Sequence, residues 1–277
     1  MTKPKKKEGF LETIKTIIFA LILAGIFRTL FFQPFWIPSG SMKDTLLIGD
    51  FLFVNKMSYG YSYASCPTVR IAAIGLNIDA EDICGFLRGD NKRIIGAEPT
   101  RGDVVVFRHP TNGQDYIKRL IALPGEKVQI KNGLVFINDT PVKVIPDGTF
   151  NEIKAPQGPF RNTPRCENEV VEQNGICEKE KFIEILPNGV SHSILNFMRQ
   201  TVDDTPVYHV PEGHYFFLGD NRDNSSDSRI SQSRGGVGFV PYENLVGRAD
   251  RVLLSSAGKS MFAFWTWRSD RFFEGIE

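Results

Sequence analysis

The sequence predicts a mainly β protein that carries one helix at its amino terminus, on three observations. From Phe51 onward, short apolar runs closed by Gly and Pro recur, the texture of strands joined by tight turns. One such boundary is an Asn-Gly pair, Asn132-Gly133, the strongest short-range hairpin signal. The composition, 25 Gly, 16 Pro and 22 Phe in 277 residues, suits a loop-rich β domain better than a helical bundle.

The chain opens with lysines at 3, 5, 6 and 7, followed by FLETIKTIIFALILAGIFRTLFFQPFW. Thr16–Phe27 is uncharged, and Thr16–Trp36 makes 21 residues with Arg28 as the one charge. As a helix rising ~1.5 Å per residue, that stretch reaches across a hydrocarbon core of ~30 Å. Arg28 then has to snorkel, because a buried arginine costs roughly 2.5–3.5 kcal/mol on insertion scales. Pro34 and Pro38 stop the helix. Lysines at the start place the amino terminus in the cytoplasm and the remainder across the membrane. The expectation is an uncleaved anchor over residues 1–34 and an extracytoplasmic domain over 35–277. A cleaved leader fits less well, since no small residues stand where the apolar run ends.

Beyond the anchor, GDVVVFRHP, DYIKRLIALPGEKVQI, KNGLVFIND, HYFFLGDN and LVGRADRVLLS read as strands. Residues 59–91 and about 140–205 read as irregular insertions, or a cap on the β core, and they hold all four cysteines. Three pairings are open to Cys66, Cys84, Cys166 and Cys177; proximity favours Cys66–Cys84 and Cys166–Cys177, with four buried thiols as the alternative. No C-x-x-C pair and no metal-ligand histidine spacing occurs, so neither metal nor cofactor is expected. A net charge of +1 without a basic domain argues against a nucleic-acid partner. The tail MFAFWTWRSDRFF suits either core packing or a membrane surface.

Nucleophilic catalysis needs a hydroxyl or thiol, a base and oxyanion donors. A Ser-His-Asp arrangement has no support: PSGSM lacks the G-x-S-x-G elbow, and no S-x-x-K occurs at Ser41. A serine served by a distant lysine remains. Lys43, followed by Asp44 in a polar stretch, is expected to stay hydrated and protonated. Lys118 differs: a strand through DYIKRLIAL puts Tyr116, Lys118 and Leu120 on one face and Ile117, Arg119 and Ile121 on the other. An apolar face lowers the pKa of an amine by desolvation. Periodicity alone favours an ordinary strand lysine that snorkels to solvent. The loop LGDNRDNSSDSR alternates signs through Asp220, Arg222, Asp223, Asp227 and Arg229, which suits internal ion pairs better than a cation site.

Taken together and in order, PSGSM, RGDVVVF…DYIKRLIALPGE and GDNRDNSSDSR behind an amino-terminal anchor resemble the bacterial type I signal peptidases (leader peptidases). These segments span about half of the chain. The resemblance implies a signal-peptidase-like β-barrel or sheet domain with an inserted cap. It also implies Ser41 as nucleophile and Lys118 as general base, with the Ser41 N–H and the Ser39 hydroxyl as oxyanion hole. Ser225 would hydrogen-bond and orient the lysine, Asp227 and Arg229 would form the ion pair shaping the site, and Asn224 would lie nearby. Phe35, Ile37, Met42, Leu46, Tyr116 and Ile117 match pocket-lining stretches for small residues at the first and third positions before the cut. Exported preproteins would be the substrates, with membrane lipids and the export translocon as partners, at the bacterial cytoplasmic membrane. One departure stands out: Asp44 occupies the place of the family's usual proline. A non-catalytic tethered domain that binds exported chains, and a Ser-Lys protease acting on itself or one regulator, are the competing readings.

Overall fold

The structure is a computed structural model describing residues 6–66, 69–71, 75–78, 80–89, 93–168, 170–258 and 261–276. Helix α1 runs from Lys6 to Leu30. Lys3 and Lys5 lie outside the described residues, as do the side chains of Lys6, Lys7 and Arg28. From Ile17 to Leu23 the helix is apolar on all sides and exposed, with Phe19 and Leu21 each 68% accessible. Among the described residues no helix is long and apolar enough to cross a membrane. The chain turns at Leu30 into an extended strand, so the 21-residue stretch counted to Trp36 is not continuous helix: its last five residues, Phe32–Trp36, are strand β1.

The sheet that builds the domain uses β1, β2 (Asp50–Asn55), β3 (Val104–Arg108), β4 (Asp115–Ala122), β10 (His214–Leu218), β11 (Val240–Pro241) and β12 (Leu245–Ser255). Their order across the sheet is β1, β2, β12, β3, β4, β10, β11, and every pairing is antiparallel. Apolar residues of alternating strand positions fill two of its faces. Leu52, Val54, Val104 and Val106 join Met42 and Leu46 in one cluster, and Val105, Phe107, Leu120 and Phe217 form another. The Asn-Gly hairpin forms as the sequence predicts. Strands β5 (Lys127–Lys131) and β6 (Leu134–Ile137) pair Lys131 with Leu134. Asn132 and Gly133 both take positive φ, 49° and 77°, as a two-residue primed turn requires.

The second insertion is not irregular. It folds into β7 (Lys143–Ile153), β8 (Ile176–Ile185) and β9 (Ser191–Leu195), an antiparallel three-stranded sheet. Its pattern escapes a search for apolar runs because both faces of β7 are largely exposed and polar, and the ladder shifts register between Pro146 and Thr149. The pairings Cys66–Cys84 and Cys166–Cys177 are both made, with Cα separations of 6.3 and 4.9 Å. The first ties helix α2 (Ala80–Cys84) to the short turn at Tyr63–Ser65; the second closes the loop between β7 and β8.

Candidate active site

Ser41 lies in the loop between β1 and β2. Reciprocal backbone bonds close that loop, Ile37 N to the Asp50 carbonyl at 2.8 Å and Gly49 N to the Ile37 carbonyl at 2.9 Å. Behind the serine the chain turns inward, with Leu46 N donating to the Met42 carbonyl at 2.7 Å. Met42 and Leu46 are therefore wholly buried in the core rather than in the wall of the cleft where the resemblance puts them. Asp44, in the family's proline position, points its carboxylate to Ser193 Oγ and Lys181 Nζ, each 3.3 Å away.

Lys118 stands in the middle of β4, across from Val105 of β3. It does not snorkel: only 3% of the residue is accessible. Its amine donates to Ser41 Oγ at 2.7 Å and to the Ile117 carbonyl at 2.9 Å. Burial pushes the Lys118 pKa down to about 8, against the opposing pull of the Asp227 and Asp220 carboxylates. An amine in this range is partly neutral near physiological pH and can take a proton from the serine it touches.

The loop after β10 supports both partners from behind. Asn221 N donates to the Ser41 carbonyl at 3.1 Å, and Asn221 Nδ2 to the Gly40 carbonyl at 2.9 Å. Asp220 accepts two bonds from Arg119, at 2.9 and 2.8 Å, and one from Thr45 Oγ1 at 2.6 Å. Arg119, the neighbour of Lys118 on the opposite strand face, is itself wholly buried. Burial alone would raise the Asp220 carboxyl, but Arg119 holds it below its usual range. Asp227 and Arg229 form a buried two-pronged pair at 2.9 and 3.0 Å. There too burial works upward and Arg229 prevails, keeping the Asp227 pKa low.

The Ser225 hydroxyl lies beside Asp227, buried and without a hydrogen-bond partner of good geometry; it makes no bond to the Lys118 amine. The sequence gives no role to Asn221, Arg119 or Gly219, although the first two adjoin Arg222 and Lys118, and Asp220, expected to pair within its own loop, takes its partner Arg119 from β4. Gly219 packs so tightly that a Cβ would fall 2.2 Å from Ser225 Oγ and 2.6 Å from the Ser41 carbonyl.

Above Ser41 and Lys118 opens a cleft of about 360 Å³. One rim carries Phe35, Ile37 and Ser39, the other Tyr116 and Ile117, with Asn224 and Phe160 completing it. The oxyanion candidates Ser39 and Ser41 thus border one space. Lys43 is not hydrated. It is buried, paired with the Glu152 carboxylate and bonded to Gln157 Oε1 at 2.8 Å. Burial lowers its pKa while Glu152 pulls the other way. Both partners come from the second insertion, more than 100 residues along the chain. Among the described residues no group of three His, Cys, Asp or Glu side chains is placed to hold a metal ion.

A buried hydroxyl and amine in contact beneath an open apolar cleft define the equipment of a hydrolase. The chain belongs to the signal peptidase family, peptidase S26, whose model matches residues 10–254. Signal peptidase I of Rickettsia canadensis (strain McKiel) is 35% identical over 263 residues, covering 92% of this chain and 84% of that protein. Signal peptidase I of Rickettsia felis (strain URRWXCal2) is 37% identical over 246 residues, 86% of this chain and 77% of the other. A solved signal peptidase I from Enterococcus faecalis V583 is 26% identical and covers 55% of this chain and 97% of its own. Its TM-score of 0.29 is too low to bear on the architecture.

Proposed function

We propose that the protein is a serine endopeptidase that removes signal peptides from exported preproteins through a Ser41–Lys118 pair and an acyl-enzyme. The neutral Lys118 amine accepts the Ser41 proton as Oγ attacks the scissile carbonyl. The Ser41 N–H and the Ser39 hydroxyl receive the oxyanion. The Lys118 ammonium then protonates the leaving amine, which departs as the new amino terminus of the mature protein. Water, deprotonated by the same lysine, releases the leader from Ser41. Arg119, Asp220, Asn221, Asp227 and Arg229 hold the two reacting groups in register. The shallow apolar cleft between Ile37 and Ile117 favours small side chains before the cut.

The observation that carries this reading is the 2.7 Å bond between a fully buried lysine of lowered pKa and a serine opening on the cleft. The deciding experiment is cleavage of a purified preprotein by the Ser41→Ala variant. Loss of cleavage is expected; undiminished cleavage overturns the reading in favour of a tethered binding domain. Comparing several unrelated preproteins separates a general peptidase from one devoted to itself or a single regulator.

Attachment to the bacterial cytoplasmic membrane, with the amino terminus inside and the catalytic domain outside, belongs to the same reading. Its support is the family and the exposed apolar side chains of α1. Lipids and the export translocon are the neighbours this placement supplies. A tether that ends close to Ser41 raises the effective concentration of cut sites emerging at the bilayer.

A further inference from the structure

Phe160 is two-thirds exposed (66%) and borders the same cleft as Ser41 and Lys118, yet it comes from the loop joining β7 to β8. That loop is fastened to the catalytic turn. Gln157 and Asn162 form an isolated bridge with Phe160 in the turn between them, and Arg161 N returns to the Gly158 carbonyl at 3.3 Å. Gly158, at φ +64°, lies against the β1–β2 loop so closely that a Cβ would sit 2.9 Å from both the Pro38 carbonyl and Ile48. Gln157 bridges two buried groups, accepting from Lys43 Nζ at 2.8 Å and donating to Glu152 Oε2 at 2.9 Å. Lys179 of β8 completes the cluster on Glu152. Lys43 is two residues from Ser41, so the insertion is locked to the nucleophile's own loop.

We propose that Phe160 is a substrate-contacting residue: the turn at 157–162, held on the catalytic loop by Lys43, makes Phe160 a wall of the cleft that packs against an apolar side chain of the bound leader. This deepens the peptidase reading and rests on it. An exposed phenyl ring on a tightly fastened turn is pre-organised, so covering it loses little conformational freedom. The other apolar lining residues belong to the sheet, as Phe35, Tyr116 and Ile117 do, or to the start of the β1–β2 loop, as Ile37 does; Phe160 is the insertion's contribution. Its apolar ring matches a leader's apolar side chains.

The test is the kinetics of preprotein cleavage by the full-length protein, wild type against Phe160→Ala and Phe160→Leu. The alanine variant should raise KM roughly fivefold or more, with KM changing more than kcat, and leucine should hold KM within about twofold. Lys43→Met, which cuts the tether while keeping a similar stem, should also raise KM, and the Lys43→Met/Phe160→Ala pair should add little beyond Phe160→Ala alone. A Phe160→Ala enzyme with KM within about twofold of wild type overturns the proposal, whatever becomes of the Lys43 variant. Wild-type protein that leaves preproteins intact overturns the peptidase reading, and this proposal with it. Normal wild-type cleavage beside an unmoved KM overturns this proposal alone.

Discussion

Lys118 Nζ lies 2.7 Å from Ser41 Oγ although 77 positions separate the two residues. The contact exists because β4 is an interior strand of the sheet with Lys118 buried, while the loop between β1 and β2 is fastened from below by Asn221. Lys118→Ala should reduce kcat/KM by about a thousandfold or more, the scale seen when a nucleophile's base is removed. Lys118→Arg should be as damaging, because a guanidinium stays protonated and cannot accept the serine's proton. Purified variants with wild-type circular dichroism and no cleavage would meet the expectation.

Lys118 is active in its neutral form, which sets the sign of the pH dependence. With a pKa lowered to about 8, the neutral fraction falls as pH drops. The rate should therefore fall roughly tenfold per unit below that value and level off above it. Steady-state kcat/KM measured from pH 5 to 10 checks this; a rate already flat at pH 5 contradicts a lysine base.

The alternation of DYIKRLIAL was enough to put Lys118 with Tyr116 and Leu120 on an apolar strand face, because a central strand obeys its own period of two. It could not say that the serine would be waiting there, since the Ser41 loop is placed by the sheet order and not by any local pattern. Lys43 departs from the hydrated state its sequence neighbours imply for the same reason. Its neighbours are polar, but it is buried by Glu152 and Gln157 arriving from 109 and 114 residues away. The β7–β8 hairpin beside them runs four charged residues together in CEKEKFIEI, and the side chains that β8 buries are Cys177, Lys179 and Glu184, so its strands lack an apolar signature. Proximity did suffice for the cysteines, because both bridges are local, spanning 18 and 11 residues.

Gly219 is needed for its missing side chain. A Cβ there would strike Ser225 and the Ser41 carbonyl, and a backbone oxygen cannot swing aside as a side-chain tip can. Gly219→Ala should cost about 1–3 kcal/mol of stability, the usual range for overpacking. It should lower kcat more than it raises KM, because the displaced atoms are those that seat the nucleophile. Chemical denaturation and kinetics on the same preparation measure both effects.

The buried carboxylates make the domain sensitive to acid in a defined window. Burial tends to raise Asp220, Asp227 and Glu184, but Arg119, Arg229 and Arg222 more than offset it, leaving all three below their ordinary values. The unfolded chain, with carboxyls near ~4, then binds protons more readily than the folded one. Their stabilisation is fully present above about pH 4 and is lost as pH falls through the depressed folded values. Asp115 and Asp223, which burial raises, contribute in the opposite direction, but Glu152, held low by Lys43 and Lys179 against its burial, joins the other three, four groups against two. Urea midpoints should therefore decline as the pH is lowered below about 4. Asp227→Asn should lose its share of this acid dependence. At neutral pH it should also be less stable by about 3–5 kcal/mol, because Arg229 is left buried without a counter-charge. A variant as stable as wild type at pH 7 would mean that the Asp227–Arg229 pair does not hold the loop beneath Lys118.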